Sequence, residues 1–187
     1  MFSLIFSPLA YLRIKHESKW VFDWCYPALF SLATSALLWV LGRPGMIAGA
    51  SGLLDRLIIV FSVLPGFYIA ALAAIATFNR PDIDTVMPSP SPTLKVDIGG
   101  HQNEIGLTRR RFLAYLFAFL CWESFALLIL CVFAGLTAQG FFVVLGSCAY
   151  VFKWIFVLFL LGLFWQLVFA TGLGLYYLGD RLNRPTY

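Results

Sequence analysis

The stretch that decides the fold is Arg109-Arg110-Arg111 followed by FLAYLFAFLCWESFALLILCVFAGL, residues 112–136. The three arginines end at an apolar run of about 25 residues, which is long enough to cross a hydrocarbon core as a helix. Arginine is costly to move into lipid, and basic residues collect in cytoplasmic loops. The stretch therefore predicts a transmembrane helix whose arginine end lies in the cytoplasm.

The composition of the whole chain extends this prediction. Of the 187 residues, 61% are hydrophobic and 12% are charged, whereas soluble domains have about 25% charged residues. The mean hydropathy is +0.86. The composition therefore predicts one membrane domain spanning residues 1–187, and the lipid bilayer is its first partner.

Four apolar runs predict four transmembrane helices and an all-α integral membrane protein. The predicted spans lie at about residues 21–41, 57–78, 112–136 and 154–176. The last span is placed inside a longer apolar run, Phe141–Leu178, so residues 141–151 are predicted to form a buried or interfacial extension. Residues 1–20 combine apolar side chains with basic ones and are predicted to lie at the membrane surface.

The long polar segment is residues 79–108, predicted to be a cytoplasmic loop. Leu94, Val96 and Ile98 alternate with polar residues, and Gly99-Gly100 is typical of a tight turn. The loop therefore either contains a small β-hairpin or is a flexible linker, and the pattern is compatible with both.

The distribution of basic residues predicts the orientation. With four spans, only Arg43, Arg56 and Lys153 of the 13 Lys and Arg residues fall on one side, and the other ten accompany the termini and the loop. The positive-inside bias predicts a multi-pass protein of the bacterial inner membrane with both termini in the cytoplasm. The net charge of +4 is explained by these membrane edges, so direct binding of nucleic acid is not predicted.

Glu123 is the deepest carboxyl group, about 17 Å from the arginine end of its helix. Such a group must be paired, hydrated or neutral, and its own helix face offers no polar neighbour. We expect its partner on another helix or another subunit, so Glu123 is either an assembly residue or part of an ion path. Lys153 is a candidate partner if the helix register differs, and otherwise extends to the headgroups.

Other residues point to contacts and not to catalysis. Lys95, Arg109, Arg110 and Arg111 form a basic edge suited to an acidic protein partner or to anionic lipid. The four cysteines and two histidines lack ligand-like spacing, so no metal and no cofactor are predicted. Nucleophile, phosphate-loop and zinc-protease motifs are also missing from the sequence, and an enzyme is not predicted.

The size, the four-span plan and the large loop of the whole chain resemble the membrane subunit of Kiwa-type anti-phage defence systems. The resemblance implies an oligomeric membrane sensor of infection or membrane perturbation that recruits a cytoplasmic DNA-binding effector. It implies no particular site residues. A small channel or transporter subunit, or an assembly subunit of another membrane complex, is the alternative.

Overall fold

The computed structural model describes residues 6–15, 19–42, 46–49, 51–77, 83–87, 91–98 and 101–181. Within these ranges four helices are long and apolar enough to cross a membrane, which confirms the all-α, multi-pass membrane fold. They are α1 (Val21–Leu41), α2 (Leu53–Thr77), α3 (Arg109–Leu145) and α4 (Ala149–Tyr176). The strands β1 (Thr93–Ile98) and β2 (His101–Gly106) lie between α2 and α3.

The helices extend beyond the predicted spans, because a helix does not end where the hydrocarbon core ends. α2 begins at Leu53, and α3 begins at the arginines themselves and continues to Leu145. The predicted extension of the last span, residues 141–151, is divided between two helices. Residues 141–145 complete α3, a short 3-10 turn follows at Gly146–Cys148, and α4 begins at Ala149. Gly146 has a φ of 52°, a conformation that glycine adopts without steric cost, and this allows the turn.

The four helices pack in an order that differs from their order in the chain. α1 packs against α4, α4 against α3, and α3 against α2. α3 and α4 approach closely at Gly174, where a Cβ atom would lie only 2.9 Å from Cζ of Phe117. Small residues at such crossings let membrane helices gain van der Waals contact. The most deeply buried side chains of α3 and α4 include Leu113, Leu116, Leu120, Leu127, Leu160 and Leu167.

The described part of the N-terminal segment packs against α3 and buries Tyr11 and Ile14, while Phe6 and Leu12 stay exposed. Its place at the membrane surface stays a prediction. Its 3-10 helix, Ser7–Arg13, packs along α3. Phe6 lies beside Trp122, with ring centroids 6.0 Å apart, and Trp122 is about 20 Å along α3 from Arg109. Tyr11 and Ile14 are almost fully buried. Irregular backbone is tolerated at membrane depth only where protein covers it, and α3 provides that cover. Residues 1–5 and 16–18 lie outside the described part.

The loop contains the hairpin that the alternation suggested. β1 and β2 pair antiparallel from Thr93–Gly106 to Ile98–His101, while its turn at residues 99–100 lies outside the described ranges. Lys15 pairs with Thr93 on one side, and Val86 pairs with Thr108 on the other. Leu94, Met87 and Leu107 are buried beneath this base. We call this end of the bundle the hairpin end.

Candidate functional site

The first part of the candidate site is a charged cluster at the start of α1. Asp23 is only 2% exposed, although it lies at the beginning of a membrane helix. Its carboxylate forms an ion pair with Lys19, four residues earlier and therefore on the same helix face. The hydroxyl of Tyr11 donates a second hydrogen bond to Oδ1 of Asp23, at 3.1 Å. These two partners offset much of the cost of burying a carboxylate in the membrane.

Tyr11 is fixed in this position by aromatic packing. Its ring stacks on Phe119 of α3 with centroids 5.0 Å apart, and the ammonium group of Lys19 lies 4.1 Å from its ring centre. Burial first, and then the negative charge of Asp23, raise the pKa of Tyr11 well above its usual range. The phenol therefore keeps its proton and remains a hydrogen-bond donor at every physiological pH.

Glu123 lies next to this cluster, inside a single chain. It is 5% exposed and lies within electrostatic range of Tyr11 and Asp23. Within the described part of the chain, Oε2 of Glu123 is buried without a hydrogen-bond partner. The expected polar neighbours therefore come from the N-terminal segment and α1. The prediction that the chain self-associates stays a prediction, but Glu123 has little surface left for contact with a second copy.

The other two helices add polar groups at a similar depth. The hydroxyls of Tyr68 in α2 and Thr171 in α4 lie 2.7 Å apart. Because the Thr171 hydroxyl donates to the carbonyl of Leu167, the hydrogen between them belongs to Tyr68. Gln166, which is 4% exposed, lies five residues before Thr171 and hence about 8 Å along α4. We call Tyr11, Asp23, Tyr68, Glu123, Gln166 and Thr171 the polar layer.

The polar layer contains unsatisfied hydrogen-bonding capacity. The Nε2 atom of Gln166, like Oε2 of Glu123, is buried without a partner among the described residues. Polar groups buried within a membrane protein fix the register of neighbouring helices when they are hydrogen-bonded. When they are not, they destabilise the folded state. The layer therefore links the four helices and holds one carboxyl group, that of Glu123, whose Oε2 atom has no partner among the described residues.

Arg110 has a structural role at the hairpin end. Its guanidinium donates to both carboxylate oxygens of Asp84, at 2.8 and 3.0 Å, and to the carbonyl oxygen of Ile75, at 2.8 Å. It thereby caps the last turn of α2, where unpaired carbonyls carry partial negative charge. The hydrogen bonds from Arg110 hold the pKa of Asp84 below its usual range. The loop and two helices are joined through this one side chain.

The other predicted contact residues lie in different surroundings. Arg111 is exposed, whereas Arg109 is half-buried and its Nε atom has no partner in the described ranges. Lys153 lies at the opposite end of the bundle, 5.7 and 5.5 Å from the ring centres of Tyr150 and Trp154. It is far from Glu123 and lies where interfacial side chains are expected.

The hairpin presents a backbone edge, which is the second part of the site. On the outer side of β1, the N–H and carbonyl of Thr93 both bond to Lys15. Because backbone groups alternate along a strand, those of Lys95 and Asp97 also point to this side. Within the described residues the sheet has two strands, and the bridge to Lys15 is at Thr93, so β1 is an edge strand. The predicted contact residue Lys95 therefore lies on an open strand edge.

Sequence reasoning missed Tyr11 and Tyr68 as members of the site. A tyrosine in an apolar run is typical of a membrane interface, so neither residue stood out. The spacing of Lys19 and Asp23 was a usable signal, since four residues place them on one face of a helix. Comparison of the chain with protein-family models, curated proteins and solved structures gives no match.

Proposed function

We propose that the chain is a non-enzymatic subunit of the bacterial inner membrane that holds a soluble protein partner at its cytoplasmic face. The observation that carries this proposal is the open edge of β1 on a hairpin fixed to the membrane domain. An exposed edge is a template for a strand from another chain, because its backbone groups seek hydrogen-bond partners.

The anchoring of the hairpin is what makes the edge useful. A two-stranded hairpin is only marginally stable alone in water. Here Lys15 and Val86 extend the sheet on both sides at its base, and buried Leu94 fixes its underside. A partner strand beside Lys95 and Asp97 would continue the ladder that Lys15 begins. It would therefore be held at a defined position close to the membrane.

The orientation and the biological setting belong to the same proposal. The positive-inside bias supports a cytoplasmic hairpin end with both termini on that side. The topological resemblance to Kiwa-type membrane subunits supports anti-phage defence, in which a homo-oligomer senses infection or membrane perturbation and recruits a cytoplasmic effector. In this proposal the effector contacts nucleic acid, and the membrane subunit does not.

The channel or transporter alternative has weaker support. Conduction needs a continuous polar path, whereas the buried acidic and amide side chains of the described residues, Asp23, Glu123 and Gln166, all belong to the polar layer. Beyond that layer, toward the opposite end, Leu127, Cys131 and Leu160 are fully buried and apolar. An assembly subunit for another membrane complex would use the same open edge and is distinguished only by its partner.

The test uses two proline variants at one position of the ladder. Asp97 and Gln102 face each other across the hairpin, and their N–H groups point to opposite outer edges. Asp97→Pro removes a donor from the open edge of β1, and Gln102→Pro removes the corresponding donor from β2. The soluble protein encoded by the adjacent gene is co-purified with each variant, and protection against phage is measured by plating.

We expect Asp97→Pro to weaken partner binding about tenfold or more, because a docked strand would lose a hydrogen bond and meet the proline ring. Gln102→Pro should bind like the wild type. Equal binding by both variants would reject the β1 edge as the docking surface. If the wild type binds the partner but gives no protection against phage, the role in defence is rejected, whereas the recruitment of a soluble partner stays supported.

A further inference from the structure

The first position on the edge of β1 is occupied by the chain itself. The N–H of Lys15 donates to the carbonyl of Thr93 at 3.0 Å, and the N–H of Thr93 donates to the carbonyl of Lys15 at 3.1 Å. An incoming strand that reached Thr93 would need these same two backbone groups. A partner strand and Lys15 therefore exclude each other at this position.

The contact at Thr93 is a single bridge that lies outside the two named strands. Beside it, the ammonium group of Lys15 lies 3.7 Å from the carboxylate of Glu104, and both side chains are at least half exposed, so this ion pair contributes little. A partner strand would replace the two backbone hydrogen bonds by two of the same kind. The residues that flank Lys15 therefore decide whether it stays in place.

Both flanks of Lys15 are held by one carboxylate of α1. Tyr11 lies four residues before Lys15, and Lys19 lies four residues after it. The Tyr11 hydroxyl donates to Asp23 at 3.1 Å, and Lys19 forms an ion pair with the same carboxylate. Ile14 is buried, and its N–H donates to the carbonyl of Tyr11 at 3.1 Å. The position of Lys15 against β1 therefore depends on Asp23.

Tyr11 also joins α1 to α3. Its ring stacks on Phe119 of α3, whereas its hydroxyl bonds to Asp23 of α1. Phe6 adds a second ring contact with α3, at Trp122. If α1 moves relative to α3, Tyr11 cannot keep both contacts, because a hydrogen bond weakens steeply with distance and angle. Such a movement would therefore weaken the support of Lys15.

We propose that the segment Phe6–Lys15 is an autoinhibitory strap on the docking edge, released when α1 and α3 move apart. The inference rests on the proposed function and names its regulation. With the strap in place, a partner strand pairs only with Lys95 and Asp97. After its release Thr93 is also available, and the docked strand gains two backbone hydrogen bonds. A membrane perturbation that separates α1 from α3 would thus strengthen partner binding.

Amide hydrogen exchange tests the link between Asp23 and Thr93 without any partner. Tyr11→Phe removes the hydrogen bond to Asp23 and keeps the ring, so it should accelerate exchange of the Thr93 N–H severalfold in the full chain. The N–H of Leu107 is the internal reference, since it donates to the carbonyl of Pro92 at the base of the same hairpin, at 3.0 Å. Its exchange should stay the same. An unchanged Thr93 amide, or equal acceleration at Leu107, would overturn the link.

A disulfide between positions 15 and 93 tests the release itself. Facing residues of a hydrogen-bonded antiparallel pair have Cα atoms about 5.5 Å apart, which is within the range that a disulfide spans. Lys15→Cys and Thr93→Cys are combined in an otherwise cysteine-free full chain. Binding of the soluble protein encoded by the adjacent gene is then measured for the oxidised form, with the reduced form of the same chain as the matched control.

The oxidised form should bind the partner about tenfold more weakly than the reduced form, because Lys15 then cannot leave Thr93. Tyr11→Phe should bind about threefold more tightly than the wild type. Equal binding by the oxidised and reduced forms would show that the strap is only a structural anchor, and would overturn the inference.

Asp97→Pro separates this outcome from failure of the proposed function. If Asp97→Pro weakens binding while the oxidised and reduced forms bind equally, the docking edge stands and the strap is rejected. If Asp97→Pro binds normally, the docking edge itself is rejected. If no soluble partner co-purifies with the wild type, the proposed function fails, and the exchange measurement still decides whether Asp23 controls the contact at Thr93.

Discussion

The hydroxyl of Tyr11 donates a hydrogen bond to Oδ1 of Asp23, and this contact joins the N-terminal segment to α1 inside the bundle. Both side chains are almost completely buried, and the partners are 12 residues apart in sequence. Tyrosine suits this buried position because its apolar ring packs against neighbouring rings while its hydroxyl group donates a hydrogen bond. The N-terminal segment thereby becomes part of the membrane domain.

Removing the Tyr11 hydroxyl should destabilise the domain while the aromatic ring and its packing are kept. We expect Tyr11→Phe to lower the free energy of unfolding by about 1–2 kcal/mol, because a buried acceptor on Asp23 loses a donor. Thermal unfolding in detergent micelles measures the change. Tyr150→Phe is the control: its hydroxyl accepts a hydrogen bond from Trp39, but both side chains are more than half exposed, so the loss should change stability little. Equal effects of the two substitutions would show that the hydrogen bond contributes nothing.

Glu123→Gln should leave stability unchanged or raise it by up to about 1 kcal/mol. The substitution keeps the shape of the side chain and leaves a neutral group near the negative charge of Asp23. Glu104→Gln, in the half-exposed pair with Lys15, should be neutral in the same unfolding assay. A loss well above 1 kcal/mol for Glu123→Gln would mean that the carboxylate accepts strong hydrogen bonds in the folded protein.

Gly174→Ala should separate α3 from α4. The added methyl group would approach Phe117 to 2.9 Å, and overpacking of this kind costs about 1–3 kcal/mol. Gly135→Ala in the open part of α3 should instead gain up to about 1 kcal/mol, because alanine favours helix. Opposite signs in the unfolding temperatures of the two variants are the expected result. A stabilised Gly174→Ala variant would contradict the close helix contact.

Two cysteine positions test the orientation. Cys148 is exposed in the turn between α3 and α4, at the end opposite the hairpin, whereas Asn103 is exposed on β2. In otherwise cysteine-free chains, an impermeant maleimide added to intact spheroplasts should label Cys148 and miss Asn103→Cys. Permeabilised cells should label both. Labelling of Asn103→Cys alone in intact spheroplasts would reverse the proposed orientation.

The contact between Arg110 and Asp84 should make the hairpin end sensitive to acid. The pKa of Asp84 is lowered in the folded protein, so the contact stabilises above the ordinary pKa of aspartate. That contribution is lost as the pH falls through the lowered pKa. At neutral pH, Asp84→Asn should accelerate amide hydrogen exchange in residues 83–87 severalfold. Asp55→Asn, at the other end of α2, should not change these amides. An unchanged exchange rate in Asp84→Asn would show that the contact with Arg110 does not hold residues 83–87 in place.

The helices and the hairpin were predictable because each depends on local pattern. An apolar run of sufficient length must become a spanning helix, since lipid cannot satisfy an exposed backbone. Alternation around Gly99-Gly100 is likewise a local signal, and the paired strands confirm it. The end of α3 was placed too early because a continuous apolar run from Phe141 onward gives no sign of where the chain turns.

The surroundings of Glu123 could not be predicted in the same way. Its neighbours Tyr11 and Asp23 precede it by about 100 residues, and no periodicity links them. Likewise, the three adjacent arginines have the same residue type but different roles. Arg110 caps α2 and Arg111 is exposed, because successive residues of a helix point in directions about 100° apart.

The sequence by itself determined that the protein crosses the membrane with four helices, since spans follow from hydrophobicity along the chain. It left the loop between a hairpin and a flexible linker, and the structure decided for the hairpin. Only the tertiary structure decided that the N-terminal segment packs against α3, and that polar groups from all four helices meet in one layer. It also decided that Lys15 and Val86 pair with the base of the hairpin on opposite sides. The physical reason is that burial in lipid is a property of each segment, whereas the pairing of polar groups depends on which helices become neighbours.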